Sequence, residues 1–211
     1  MSRTVATLLA LALLLAAASA QAQDPLPMQQ CERDARAIAA ALDIDARRTR
    51  VWYWAWMATG TALLVGQATL APLVHGDERV EFAAGAATSV FIPAILALHP
   101  PSVLGDALVL DARLNATTVD GRLGDSCIAR ERARELLARD AADEALATGW
   151  IAHSFVIGGN IAVGLLLGLA FHDWWGGGKQ ALGGSIVGEL QILTLPVGAL
   201  KARGLGLEGS F

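Results

Sequence analysis

Four stretches of this chain, residues 51–74, 82–99, 149–171 and 181–200, are apolar and almost free of charge. Each approaches the roughly 20 helical residues that cross a hydrocarbon layer about 30 Å thick. Backbone polar groups inside lipid must be satisfied within the segment, so an α-helix is the structure such a run can adopt. Composition agrees, with 54% hydrophobic and 17% charged residues in 211, where an ordinary soluble domain carries about a quarter charged. A net charge of -4 and the absence of a basic block argue against a nucleic-acid partner.

The four stretches fall into two copies of one unit. Sliding the sequence by 96 residues without a gap matches Cys31 with Cys127, Arg36 with Arg132, Trp54 with Trp150, Asp77 with Asp173, Ser89 with Ser185 and Pro100 with Pro196. The fold class expected is an all-α membrane protein: a four-helix transmembrane bundle made of two parallel repeated hairpins, each preceded by an extramembrane helix. The first repeat covers residues 23–105, with spans 51–74 and 82–99, and the second covers 127–200, with spans 149–171 and 181–200. A connecting loop at 106–126 and a tail at 201–211 complete the chain. Residues 107–111 alternate in a way that leaves a short strand or a helix open. An even number of spans per unit makes the copies parallel rather than inverted.

Residues 1–22 read as a signal peptide, with Arg3, an apolar core and small residues at Ala18, Ala20 and Ala22 for cleavage. Export of the following segment places the N-terminus and the large loop on the periplasmic side of a bacterial inner membrane. The positive-inside pattern runs the other way: Arg47, Arg48 and Arg50 would lie outside, while the inner turns carry Arg79 and Lys179. The export signal is given the greater weight. All six tryptophans, Trp52, Trp54, Trp56, Trp150, Trp174 and Trp175, fall at the ends of apolar stretches, where an indole anchors at the membrane interface.

Both cysteines open charged helices on the exported side, so a Cys31–Cys127 disulfide is expected in that oxidising compartment. Ala35, Ile38 and Leu42 recur at helical spacing after the first cysteine, as do Ala133, Leu136 and Leu137 after the second. Their mixed charges read as solvated faces. Gly176, Gly177 and Gly178 read as a flexible inner turn.

Small residues recur four apart in each span: Ala58, Ala62 and Gly66; Gly85, Ser89, Pro93 and Ala97; Asn160, Gly164 and Gly168; Ala181, Ser185 and Glu189. Such ladders allow close helix approach, within the bundle or between copies of the chain. A polar group inside lipid is costly and usually paired. With the fourth span ending at Leu200, Asn160 and Glu189 both lie about 16 Å deep at 1.5 Å per residue. An Asn160–Glu189 pair with Ser185 one turn away is therefore expected, and it has no counterpart in the first repeat, which carries Leu64 and Pro93 there.

No nucleophile, phosphate-loop or metal-ligand motif is present, and neither a metal nor a cofactor is expected. Only the histidines suggest otherwise: His99 and His153 at one level and His75 and His172 at the other could ligate a haem, although the latter pair misses the repeat register by one residue. The leading functional expectation is a non-enzymatic structural or assembly component of the bacterial envelope, with the lipid bilayer, a second copy or other envelope proteins as partners. A small transporter or ion-coupling subunit using Asn160 and Glu189 is the alternative, and a haem-binding redox protein is the third.

Overall fold

A computed structural model of the chain describes residues 28–120 and 125–204. The signal-peptide region and residues 205–211 of the tail lie outside the described residues. Among those described, every regular element is a helix: α1 (Met28–Leu70), α2 (Asp77–Ser89), α3 (Phe91–Leu98), α4 (Val103–Asp120), α5 (Asp125–Ala147), α6 (Trp150–Phe171), α7 (Trp174–Leu193) and α8 (Gly198–Gly204). Two stretches, Asp77–Asn115 and Ser126–Phe171, are long and apolar enough to cross a membrane, and their most apolar windows are only 22% and 17% buried. The other two stretches fall below that threshold. Threonines, Gly60, Gly66 and Gln67 dilute the first, and Lys179, Gln180, Glu189, Gln191 and several glycines dilute the last.

α1 spans about 65 Å at 1.5 Å per residue and changes character halfway along. From Cys31 to Thr49 a stripe of Ala35, Ile38, Leu42 and Ala46 is buried, whereas from Val51 onward Val51, Trp54 and Val65 are exposed. Pro72 follows its end, and Gly76 turns the chain at φ 62°, a conformation that favours glycine. Asp77 and Glu78 then open α2 at the favourable end of its dipole. Pro93 lacks an N–H for the carbonyl of Ser89, which accounts for the break between α2 and α3 at Val90.

The first half of α1 packs with α4, α5 and α8 into a head. Its core joins Ile38, Leu42, Val103, Leu110, Leu136, Leu137, Ala199 and Ala202. The 106–126 stretch, expected as a connecting loop, is largely helix: α4 begins at Val103 and buries Asp106 and Leu110. Its apparent alternation is three sides of a helix, because Val103, Asp106, Leu110 and Leu114 recur at three to four residues. The Gly121–Gly124 segment lies outside the described residues. Likewise, part of the expected tail belongs to the head through α8.

Cys31 and Cys127 lie 2.03 Å apart at Sγ and 4.9 Å at Cα, which ties the first turns of α1 and α5 together. The two helices run side by side in the same direction, since Asp34 faces Arg130 one turn further along. Both then leave the head, α1 without interruption and α5 through a jog at Thr148 and Gly149 into α6.

Below the head stand two hairpins, α1 with α2 and α3, and α6 with α7. Leu96 and Leu167 are buried there, but many large apolar side chains face outward: Phe91, Ile95, Phe155, Leu166, Leu169 and Leu182 are all exposed. Their interiors hold Gly60, Gly85, Ser89, Gly164, Gly168, Gly176 and Gly177. The ladder of Ala58, Ala62 and Gly66 is not at a contact, because all three are exposed; Gly60 instead meets Ile92 and Pro93.

The disulfide closes a 96-residue separation, for which the chain-entropy account gives about 4–5 kcal/mol. Reduction, or Cys31→Ser with Cys127→Ser, is expected to lower the unfolding midpoint of the head in nanodiscs. Far-ultraviolet circular dichroism during heating measures this, and an unchanged midpoint would remove the clamp's role.

Candidate functional site

The second hairpin is built on glycine. Asp173 accepts from the Gly176 N–H at 2.8 Å and starts α7 there, so Gly176, Gly177 and Gly178 form its first turn rather than a flexible loop. His172, at φ 57°, closes the two-residue turn. Gly164 and Gly177 are pressed backbone to backbone: a Cβ on Gly164 would come 2.6 Å from the Gly177 carbonyl oxygen. Helix backbones come this close only where side chains are missing.

α7 ends at Leu193, seven residues before the boundary expected at Leu200. That shift moves Glu189 to within about 6 Å of the helix end nearest the head, level with His153, which lies four residues into α6 from Gly149. His153 Nδ1 and Glu189 Oε2 are 2.6 Å apart. Asn160 turns to its own helix, donating to the Val156 carbonyl at 2.8 Å, and its amide covers Gly184. The expected Asn160–Glu189 pair therefore does not form, because the span is displaced by two turns. Ser185 and Glu189 line an outward-facing apolar groove of about 570 Å³ with Ile157, Ile161, Ile186 and Leu190. Glu189 Oε1 is buried without a hydrogen-bond partner.

The first hairpin has polar contacts of its own, at positions other than Leu64 and Pro93. Ser89 Oγ is 3.0 Å from Gln67 Oε1, and the Gln67 amide lies over Gly85. Gln180 donates to Thr88 at 2.9 Å and Lys179 pairs with Glu81 at 2.6 Å, joining the two hairpins. At the other end Trp56 donates to Thr194 Oγ1 at 3.1 Å, and Trp52 donates to the same hydroxyl and to the Gln191 carbonyl. Trp54, Trp150, Trp174 and Trp175 are exposed. Of the histidines, His75, His99 and His172 are exposed and His153 is engaged by Glu189.

The head holds a second set of polar groups that sequence spacing concealed. Glu144 accepts from the Ala199 and Leu200 N–H groups at 3.1 and 2.8 Å, and Asp45 accepts from the Gly198 N–H at 3.1 Å. Ser102 Oγ lies 2.6 Å from Asp140 Oδ1 and 2.7 Å from Asp143 Oδ2, its single hydroxyl proton serving one of them at a time, while Arg139 pairs with Asp106. Burial, with Asp106 alongside, pushes the Asp140 carboxyl up to about 7. Burial beside Asp45 pushes Glu144 up to about 8. A helical reading of α1 and α5 does place Asp45 and Glu144 on the buried stripes. What hid them was the prior that carboxylates on such helices are solvated.

No group of histidine, cysteine or carboxylate side chains among the described residues has a metal-binding arrangement. Gly164→Ala is expected to cost about 1–3 kcal/mol by overpacking the α6–α7 contact. Gly158→Ala, where nothing lies within 4 Å, is expected to be neutral or slightly stabilising. Unfolding midpoints of the two variants measure the contrast, and equal effects would overturn the close-packing account. Comparison with known proteins gives no match to a family model, to a curated protein or to a solved structure.

Proposed function

We propose that this chain is a four-span integral protein of the bacterial inner membrane, built from two parallel hairpins, and that it serves as a non-enzymatic structural or assembly component with its head in the periplasm. The observation that carries the membrane reading is the inversion between the two halves of the molecule. The head buries Leu110, Leu136 and Leu137, whereas the hairpins bury glycines and expose Phe91, Phe155 and Leu166. In water that inversion would leave a large apolar surface unprotected, and in lipid it is the arrangement that helix packing favours. The parallel repeat is supported by element order: α1, α2–α3 and α4 are followed by α5–α6, α7 and α8.

The assembly role rests on what the head does with its chemistry. Its buried carboxylates bind backbone N–H groups and neighbouring side chains, and its exposed faces carry Arg33, Arg47, Arg48, Glu131 and Glu135. A rigid, charged platform on membrane anchors suits contact with another envelope protein or a second copy. Ion coupling through Glu189 is the second reading, favoured by its unpartnered oxygen beside His153; a haem between histidines finds no such support in the geometry.

Two measurements test this. A membrane-impermeant maleimide applied to spheroplasts is expected to label Ala142→Cys on the head, and His75→Cys at the inner turn only after the membrane is opened. The reverse pattern would invert the orientation. In proteoliposomes, Glu189→Gln is expected to lower thermal stability while proton and cation flux stays at the background of the wild-type chain. Wild-type flux above background that this variant abolishes, with folding intact, would replace the assembly reading by ion coupling.

A further inference from the structure

The carboxylates at the foot of the head are placed to do more than pack. Asp45 lies on α1 six residues before the first apolar stretch, and Glu144 lies on α5 six residues before Trp150. Between them they hold the start of α8, the last described helix, through three N–H bonds from Gly198, Ala199 and Leu200. Asp45 is 2% exposed and Glu144 is 8% exposed. Asp45 Oδ1 serves Gly198, but Asp45 Oδ2 is buried without a donor; the Glu144 carboxyl, bound to the next two N–H groups, is the group that could donate a hydrogen bond to it. Two ionised carboxylates cannot make that bond, since neither has a proton to donate. One shared proton satisfies the orphaned oxygen and removes the repulsion between the groups.

We propose that the Asp45–Glu144 pair is a proton-operated latch that holds α8 against α1 and α5 when it carries one proton and releases α8 when both groups ionise. The surroundings support a local device. Asp45 is the group that α1 turns toward Glu144, while Arg47 and Arg48 are exposed. On α5, Asp140 one turn earlier is occupied by Ser102 and lies beside Asp106, which pairs with Arg139, and Asp143 is exposed and also bound by Ser102. Lys201 and Arg203 on α8 are exposed. The remaining buried acid of the head, Asp34, has Arg130 as its counter-ion at 3.9 Å.

Glu144 has its ordinary value at 4.5 and is raised to about 8 in the fold by burial and by Asp45. A carboxyl raised on folding contributes stability that is fully present below its unfolded value and is lost as pH rises through its folded value. The latch is therefore closed in mild acid and opens on the alkaline side, across the range from about 4.5 to about 8. A head outside the cytoplasm would meet such changes directly. The latch itself does not depend on that topology.

Hydrogen exchange of the intact chain in nanodiscs, corrected for the intrinsic pH dependence of exchange, reads the latch at the amides of Gly198, Ala199 and Leu200. Protection there is expected to fall at least tenfold between pH 6 and pH 9, while amides of Leu136 and Leu137 in the core change less. Glu144→Gln, which keeps an acceptor and gains a donor toward Asp45, is expected to flatten the profile. Asp45→Asn does the same from the other side, should the first variant fail to fold. Unchanged wild-type protection across this range, or a variant that loses protection in parallel with the wild type, would overturn the latch.

Discussion

α1 passes from one kind of packing to another within one turn around Arg50: its apolar stripe is covered before that point, and Val51, Trp54 and Val65 are exposed after it. Above that point its apolar stripe is covered by α4, α5 and α8. Below it, apolar side chains point outward and the contacts go through Gly60 and Gln67. α5 and α6 make the same passage with a jog at Gly149. Everything else is arranged around these two parallel helices. Their tops are joined by Cys31 and Cys127, their feet by Asp45 and Glu144, and each is doubled back by a return helix.

The two regions use opposite means of cohesion. The head draws on apolar burial, which is available where water is displaced. Within and between the hairpins, close backbone approach with a few hydrogen bonds takes its place. Gly164 against Gly177, Gln67 over Gly85, and Gln180 with Thr88 are those contacts. The indoles of Trp52 and Trp56 on Thr194 link the hairpins at the end nearest the head.

Much of this was legible in the residue pattern. The helical class, the pairing of the cysteines and the buried stripes of Ile38, Leu42, Leu136 and Leu137 follow from spacing and compartment chemistry. The polar contacts were less so. Depth along a span is counted from its end, and a return helix ending at Leu193 instead of Leu200 moves Glu189 from the level of Asn160 to that of His153. Gln67 was hidden because nothing in sequence says which face of a span meets its neighbour. Asp45, Glu144 and Asp140 were hidden because a carboxylate on an amphipathic helix is usually solvated, and only packing from a distant segment buries it.

The sequence by itself determined the all-helical class and most of its helices, because these depend on composition and on a 3.6-residue period carried within each segment, though not the helices at Val103–Asp120 and Gly198–Gly204. The tertiary structure decided which polar groups meet. That outcome depends on where helices stop, how closely glycines let them approach, and which distant chain segment covers a given turn. α8 illustrates the division: seven residues beyond the last apolar stretch's true end become part of the head because Ala199 and Ala202 fill its core and because Asp45 and Glu144, far away in sequence, supply acceptors for the helix's free N–H groups.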